Sequence, residues 1–297
     1  MTLITQKAML ASLSISRWGA TKQAPKVVKD ATVTYGTKAE QLSAKKSLVA
    51  TLALKSIKEV ESQARQYHLT HTQPWLDEGA RILSSALYFE YSQSMTRYRQ
   101  EFDREVTRFL ANYPMLIADA EQQLAGLYDP NDYPSPDKIA AKFAFKTTIS
   151  PLPAGEDFRV SLGAEEEERL RADISARLQA GVDGAMRDAW KRVHTCVAAM
   201  AERLNAYEVI VDPQTGQKTT TGVFRDSLVQ NMRDLVDILP GLNITGDAEL
   251  TRITAELETS LCVHEPEILR ANDRLRRATA ERAEDILAQM AGYIGEE

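Results

Sequence analysis

The residues best suited to metal or nucleophile chemistry in this sequence are its four histidines and two cysteines. His194 and Cys196 form one His-x-Cys pair, and Cys262 and His264 form a second pair in reverse order. Two histidines with two cysteines are a ligand set of structural zinc sites. Residues i and i+2 diverge by about 200° around a helix, so one helix cannot easily aim both at one ion. We favour a buried thiol at Cys196, and a zinc site stays open because the second pair lies near a predicted helix end.

A second histidine pair, His68 and His71, has the spacing that places two imidazoles on one face of a helix. Asp77 and Glu78 follow closely, and two histidines with a carboxylate can hold a transition metal. The alternative is a polar loop between two helices, in which the histidines cap carbonyl groups at a helix end. The sequence does not decide between these two interpretations.

The motifs of nucleotide and acyl chemistry are missing from the sequence. It contains no G-x-x-x-x-G-K-[ST] phosphate-binding loop, no G-x-G-x-x-G and no G-x-S-x-G elbow. Carboxylate runs such as Glu165–Glu168 are typical of solvated helix faces. We therefore predict no catalytic residue, no cofactor and no metal ligand, and we favour a non-enzymatic role. A metal-dependent hydrolase is kept as a third hypothesis.

Basic residues concentrate at the N-terminal end of a chain whose net charge is −6. Residues 1–60 carry a net charge of +7, and the remaining residues carry −13. Cations interleaved with aromatic rings can follow phosphates and stack on bases, which predicts a site for single-stranded nucleic acid. The candidate residues are Arg17, Trp18, Lys22, Lys26, Lys29, Lys45 and Lys46. The alternative is that the lysines solvate a short sheet and a helix, while Trp18 fills the end of the sheet.

The composition is that of a globular protein, with 43% hydrophobic and 26% charged residues. No run of about 18 apolar residues predicts a transmembrane helix. The stretch Met1–Ile15 lacks the pattern of a signal peptide. Two cysteines do not make a disulfide framework. We therefore expect a cytoplasmic protein that does not bind membranes.

Two long apolar stripes at helical spacing dominate the sequence. The first, Leu76–Phe109, predicts one uninterrupted helix that ends at Asn112-Tyr113-Pro114. The second, Ala164–Tyr207, predicts another long helix, in which Gly181 and Gly184 favour a kink or a close crossing. Helices of this length exceed the diameter of a small globule, so we expect an elongated molecule.

Alternating patterns predict a few strands between the helices. Ser12–Arg17 and Lys142–Ile149 are both half-buried strands by their alternation, and we predict that they pair. Glu208–Thr221 has two β-prone arms around a Pro/Gly turn, which predicts a protruding hairpin. Ala31–Tyr35 is either a strand or the lead-in to a helix, and Phe158–Leu162 could add a short strand.

These elements predict a mainly α fold. It is an elongated bundle of long amphipathic helices, with a small sheet near residues 12–17 and 142–149 and the hairpin near residues 208–221. Lys38–Tyr67 predicts one more helix. The chain divides in this scheme into an N-terminal helical region with the sheet, residues 1–162, and a C-terminal helical region, residues 163–297.

Several segments, in this order, resemble an uncharacterised family of bacteriophage proteins, a domain-of-unknown-function family. These segments are Ser12–Trp18, Gln73–Leu83, Phe109–Pro114, Asp132–Ser135 and Phe224–Val229. The resemblance covers most of the chain, and the hairpin near residues 208–221 is longer than the family's usual connection. Members are often encoded near MoxR-type AAA ATPases and von Willebrand A-like proteins. The resemblance implies a role in assembly or as an ATPase partner, and it carries over no catalytic residue.

Two functional hypotheses follow. The first is a non-enzymatic interaction or assembly protein of a phage-infected cytoplasm, because long amphipathic helices suit coiled coils, oligomers and partner contacts. An apolar stripe that is filled within the monomer is the alternative. The second is a single-strand-binding protein of phage DNA metabolism that uses the basic N-terminal segment.

Overall fold

The computed structural model describes residues 2–76, 79–155 and 163–293. In this part of the chain the fold is mainly α, as predicted, with ten α-helices and three small sheets. The helices are α1 (Thr2–Lys7), α2 (Pro25–Tyr35), α3 (Lys55–His71), α4 (Tyr88–Leu124), α5 (Pro136–Ala140), α6 (Ala164–Ala206), α7 (Ser227–Leu242), α8 (Ala248–Ser260), α9 (Pro266–Ala271) and α10 (Asp273–Met290). None of these described helices is both long and apolar enough to cross a lipid bilayer.

Eight strands form the three sheets of the described residues. They are β1 (Ala8–Ser16), β2 (Thr21–Gln23), β3 (Lys45–Ser47), β4 (Gln73–Pro74), β5 (Ala80–Ser84), β6 (Ala144–Pro151), β7 (Glu208–Val211) and β8 (Lys218–Thr221). The largest sheet has the order β4-β5-β1-β6, so the predicted pairing of the N-terminal strand with the strand near residues 142–149 is confirmed. The predicted hairpin is also confirmed, because β7 and β8 pair in antiparallel register.

The chain forms two compact units, and neither is a continuous stretch of sequence. The larger unit comprises residues 1–11, 70–89 and 149–297, and the smaller unit comprises residues 12–69 and 90–148. The sequence analysis instead placed one boundary between residues 162 and 163. Residues 156–162, which include the predicted strand Phe158–Leu162, lie outside the described residues.

The core of the larger unit is built on α6, which packs most extensively on α10 and also on α7. The second apolar stripe of the sequence is buried here from Leu178 onward, as the prediction of a long helix requires. Gly181 is the position of closest approach, because a Cβ there would lie 2.0 Å from the ring of Trp75. The sequence predicted a kink or a close helix crossing here, but the close neighbour of this glycine is an indole ring outside the helices, and α6 continues through it.

The core of the smaller unit is rich in aromatic rings from α4 and the strands around it. Phe102, Phe109 and Tyr113 of α4 are buried, and Trp18 lies against two of them. Phe143 and Phe145 pack on the same cluster. The part of the first apolar stripe from Tyr91 to Phe109 is thus buried or half-buried within this unit along α4.

The predicted start and end of the first long helix are wrong. The helix begins at Tyr88, because Gln73–Pro74 and Ala80–Ser84 pair as antiparallel strands. Ile82 and Leu83 are consecutive residues of a strand, and both are buried. A short apolar run of this kind has the same sequence pattern as a segment of a buried helix, which explains the wrong prediction. A proline inside a helix costs about 3 kcal/mol, yet α4 continues through Pro114 to Leu124.

Burial of the neighbouring tyrosine explains why α4 continues. The Tyr113 ring contacts the rings of Phe109 and Trp18, with centroids 6.0 and 5.8 Å away. Its hydroxyl donates a hydrogen bond of 3.1 Å to the carbonyl of Pro134. These contacts hold the helix in the core at the point where the proline weakens it.

The predicted helix over Lys38–Tyr67 is wrong in its first half. Lys45–Ser47 pairs with β2, and the helix begins only at Lys55. The segment Ala31–Tyr35, for which the sequence left a strand or a helix open, forms the end of α2. Short-range alternation was a poor guide in this region because none of the α2 residues is buried.

Candidate interaction surface

The most exposed segment of the smaller unit is residues 21–47, which we call the basic arm. It consists of β2, α2, a short 3₁₀ turn over Ala39–Gln41 and β3. The two strands pair Thr21 with Ser47 and Gln23 with Lys45. Main-chain hydrogen bonds from Leu48 to Ala20 (2.8 Å) and from Ala24 to Ala44 (2.9 Å) extend the ribbon at both ends. The arm is therefore a closed loop with α2 at its far end.

A carboxylate secures the base of the basic arm. Lys22 and Lys46 are directly opposite in the β2–β3 register, where like charges destabilise a strand pair. Asp132 neutralises them, because its two carboxylate oxygens lie 2.7 Å from the two ammonium groups. Asp132 is itself positioned by a 3₁₀ turn that the side chain of Asp129 caps.

The same contacts determine the charge state of this cluster. Hydrogen bonds from Lys22 and Lys46 hold the pKa of Asp132 below its usual value. The hydrogen bond to Asp132 raises the pKa of Lys22. The Lys46 ammonium also donates to the carbonyl of Leu127, and only 9% of its side chain is exposed. Lys46 is therefore part of the attachment of the arm rather than a free cation on its surface.

Helix α2 lacks the features that usually stabilise a helix. None of its residues is buried, and Ala24 at the N-cap provides no side-chain hydrogen bond. Val27, Val28, Thr32, Val33 and Thr34 are β-branched, which lowers helix propensity. An isolated helix of fewer than about 12 residues is marginal in water. Pro25 at its first turn and Gly36 at its C-cap are the favourable local signals that it has.

Two large apolar side chains on this helix face solvent. Val33 is 81% exposed and Tyr35 is 80% exposed. Lys26 and Lys29 are also exposed, and with Val33 they follow the i, i+3, i+7 spacing of one helical face. This face was not predicted from the sequence, because the pattern of residues 31–35 left a strand and the lead-in to a helix open. An amphipathic reading of residues 25–35 alone would have found it.

The predicted nucleic-acid residues are not brought together as one surface. Trp18 is 6% exposed and contacts Phe109 and Tyr113, so it is a core residue and not a stacking platform. Arg17 pairs with Glu61 at 2.7 Å. Four of the seven predicted residues, Arg17, Trp18, Lys22 and Lys46, thus have structural contacts. The exposed remainder is Lys26, Lys29 and Lys45.

The histidines and cysteines considered as metal ligands do not form a metal-binding cluster among the described residues. His68 is buried, with Nδ1 2.7 Å from the Tyr91 hydroxyl, and Asp77 and Glu78 lie outside the described residues. Burial raises the pKa of the Cys196 and Cys262 thiols to about 11, so both are protonated at neutral pH. Within the described ranges no three His, Cys, Asp or Glu side chains are grouped as metal ligands would be.

A polar cluster in the larger unit surrounds Thr72. Arg81 donates to its hydroxyl (2.7 Å) and its carbonyl (3.0 Å), and Arg192 donates to the same carbonyl (2.7 Å) and to that of Thr70 (2.6 Å). Burial and the neighbouring Arg192 lower the pKa of Arg81, against the opposing charge of Asp188. The two guanidinium groups donate to main-chain carbonyls at the C-terminal end of α3, so they hold the backbone of this segment in place.

A groove of about 810 Å³ lies between the β7–β8 hairpin and helices α9 and α10 in the larger unit. Its arginines already have acidic neighbours. Arg270 contacts Asp226 (2.6 Å) and Glu267 (3.3 Å), while Asp273 serves both Arg276 and Arg277. The groove therefore offers little uncompensated charge to an anion.

Comparison with known proteins gives no relative for this chain. No protein-family profile, no curated protein and no solved structure matches it.

Proposed function

We propose that the protein is a non-enzymatic interaction or assembly protein, and that the basic arm is the part that contacts its partner. The observation that carries this proposal is α2, an ordered helix with no buried residue and with Val33 and Tyr35 exposed. Isolated exposed apolar residues are normal, but the most enclosed face of α2, formed by Val27, Val28, Ala31 and Thr32, is only half-buried, so the helix gains little stability from packing. A partner that covers α2 would supply that packing.

The partner fits a helix-in-groove mode of recognition, in which a helix inserts into a cleft. Val33 and Tyr35 diverge by about 200° around α2, so such a cleft would contact two sides of the helix. The arm carries six lysines against Asp30 and Glu40, so a partner surface with acidic residues is favoured electrostatically. The resemblance to the bacteriophage family adds one specific form of the proposal, a partnership with a AAA ATPase. In either form we expect the protein to act in the cytoplasm.

Site-specific photo-crosslinking in the producing cell tests this proposal. A photoreactive residue at position 33 should yield crosslinked protein products. The control is position 89, since Phe89 lies in the larger unit and has the same 81% exposure as Val33. Products at position 33 that exceed those at position 89 would support the proposal. Equal yields at both positions would contradict it.

Binding of single-stranded nucleic acid is the second candidate, favoured by an exposed aromatic ring, Tyr35, on the same short helix as exposed Lys26 and Lys29. Stacking of one base on an aromatic ring contributes about 1–3 kcal/mol, so Tyr35→Ala should weaken binding at least about fivefold. The affinity of a labelled oligonucleotide should also fall steeply with salt. Lys138 and Lys142 are exposed lysines outside the arm, and their replacement by glutamine is the control. No binding at about 50 mM salt would exclude this candidate.

A further inference from the structure

The first turns of α6 have the chemistry opposite to that of α2. The buried residues of this helix begin at Leu178, so the stretch 164–177 contributes none. Glu165–Glu168 lie at its start, where negative charge is favoured by the helix dipole. Leu170 and Ile174 are half-buried in the same stretch. This part of α6 therefore presents acids next to partly exposed apolar side chains.

The two surfaces also match in length and order. On α2 the cations Lys26 and Lys29 precede Val33, and the seven steps from residue 26 to residue 33 span about 10 Å at 1.5 Å each. On α6 Glu166 pairs with Arg169 of its own helix (3.0 Å), so the acid that remains before Leu170 and Ile174 on one face is Glu167, and residues 167–174 span about 10 Å. In a parallel arrangement the lysines would face the glutamates while Val33 would face the two aliphatic residues.

We infer that α2 of one molecule docks on the first turns of α6 in a second copy of this chain. The inference rests on the proposed function, and it names the partner as the protein itself. The charge distribution favours a second copy as the partner, because residues 21–47 carry a net charge of +4 and the rest of the chain carries −10. The donor and the acceptor surface are thus both present on every copy, and oppositely charged surfaces attract.

The geometry of such a contact predicts the kind of assembly. The docking surface on α2 differs from the receiving surface on α6, so the contact is heterologous. Successive copies then form rings or open chains. The exception is a dimer in which each copy docks its α2 on the α6 of the other. A single helix of 11 residues covers less area than the roughly 1,200 Å² of a stable interface. We therefore expect weak association that depends on protein concentration and on salt.

Charge reversal with rescue is the test. One variant carries Lys26→Glu and Lys29→Glu, and the other carries Glu167→Lys and Glu168→Lys, which leaves the ion pair of Glu166 with Arg169 in place. Sedimentation velocity of the wild-type chain at about 100 μM and low salt should show association, and each variant alone should associate at least about tenfold more weakly. An equimolar mixture of the two variants should associate again, because the reversed α2 of one meets the reversed α6 of the other.

Matched reversals outside the two surfaces are the controls. Glu121 and Glu281 are exposed acids on α4 and α10, and their change to lysine alters the net charge by the same amount as the α6 variant. Lys138→Glu with Lys142→Glu is the equivalent control for the α2 variant. Both controls should associate as the wild type does. Far-ultraviolet circular dichroism verifies that each variant is folded, and Lys26→Gln with Lys29→Gln replaces the reversal if the fold is lost.

Three outcomes would overturn the inference: a wild-type chain that stays monomeric, controls that dissociate as the variants do, or a mixture that does not recover. None of these outcomes bears on crosslinking of position 33 to a different protein. A monomeric chain that still forms such crosslinks would leave the proposed function intact and remove only self-assembly. A crosslinked product of twice the 33.1 kDa chain mass would support both.

Discussion

Helices α2 and α4 show two different reasons for a segment to be helical. Helix α4 buries Tyr91, Met95, Phe102, Phe109 and Tyr113 and continues through an internal proline. Helix α2 has half-buried residues but no fully buried one, has no side-chain cap at its N-terminus and is rich in β-branched residues. Packing compensates for poor local sequence in α4, whereas in α2 the observed helix depends on its attachment and on its two ends.

The two helices show that the side chains that stabilise the fold are not the ones available to bind a partner. A side chain that stabilises the fold is withdrawn from solvent and cannot contact a partner. The side chains of α2 contribute little to the core of the smaller unit, and for that reason they remain available for recognition. Substitutions with progressively smaller expected effects on stability test this contrast between the two helices.

The largest expected effect comes from a pair of tyrosine substitutions. Tyr113→Ala should lower the free energy of unfolding by about 3–5 kcal/mol, because it removes a buried ring and a hydrogen bond in the core. Tyr35→Ala should change it by no more than about 0.5 kcal/mol, because the ring is 80% exposed. Urea denaturation of both variants measures the difference. Similar losses would show that α2 belongs to the core after all.

A smaller and more local effect is expected at the base of the basic arm. Asp132→Asn keeps the shape of the side chain but removes the charge between Lys22 and Lys46. The amides of β2 and β3 should then exchange with solvent about tenfold faster, because the facing ammonium groups repel each other. Asp129→Asn is the control, since its amide oxygen can still cap the turn. Unchanged exchange in Asp132→Asn would show that the strands alone hold the arm.

Acid should reproduce part of that effect in the wild-type chain. Because the pKa of Asp132 is lowered in the folded protein, its contribution is present above the ordinary aspartate pKa and is lost as the pH falls through the lowered value. Amide exchange in β2 and β3, corrected for the intrinsic rate, should accelerate below about pH 4. The Asp132→Asn variant should not show this acceleration. An equal acid response in that variant would assign the effect to another group.

The smallest expected effect is at the C-cap of α2. Gly36 has φ +64° with open space around it, so Gly36→Ala should cost about 1 kcal/mol of local stability from backbone strain alone. Gly126→Ala, also in open space but without a positive φ, is the control and should be nearly neutral. Amide exchange in α2 reports the change. No difference between the two variants would mean that α2 does not depend on its C-cap.

Periodicity in the sequence predicted those parts of the fold whose burial is one-sided. The α6 stripe and the β1–β6 pairing follow from such patterns, whereas the exposed β7–β8 hairpin follows from its Pro/Gly turn and β-prone arms. The prediction failed at β5, where consecutive buried residues Ile82 and Leu83 imitate a helical stripe. It failed also in the basic arm, whose ribbon is too short to show alternation and depends on distant Asp132.

The candidate site was predicted only in part for a related reason. The lysine-rich composition of the first 60 residues drew attention to this region. Which lysines remain exposed depends on contacts far along the chain, such as those of Lys46 with Leu127 and Asp132. Likewise Trp18 resembles a stacking ring until Phe109 and Tyr113 are placed around it. Sequence spacing alone carries no information about these contacts.

The interleaving of the two units has a practical consequence for anyone who wants to produce one of them alone. The chain enters and leaves the smaller unit twice, at residues 12, 69, 90 and 148, so no single truncation releases it. A fragment that ends at residue 162 would contain all of the smaller unit together with unmatched pieces of the larger one. Separate expression would require residues 12–69 and 90–148 to be joined by a designed linker, with residues 70–89 omitted.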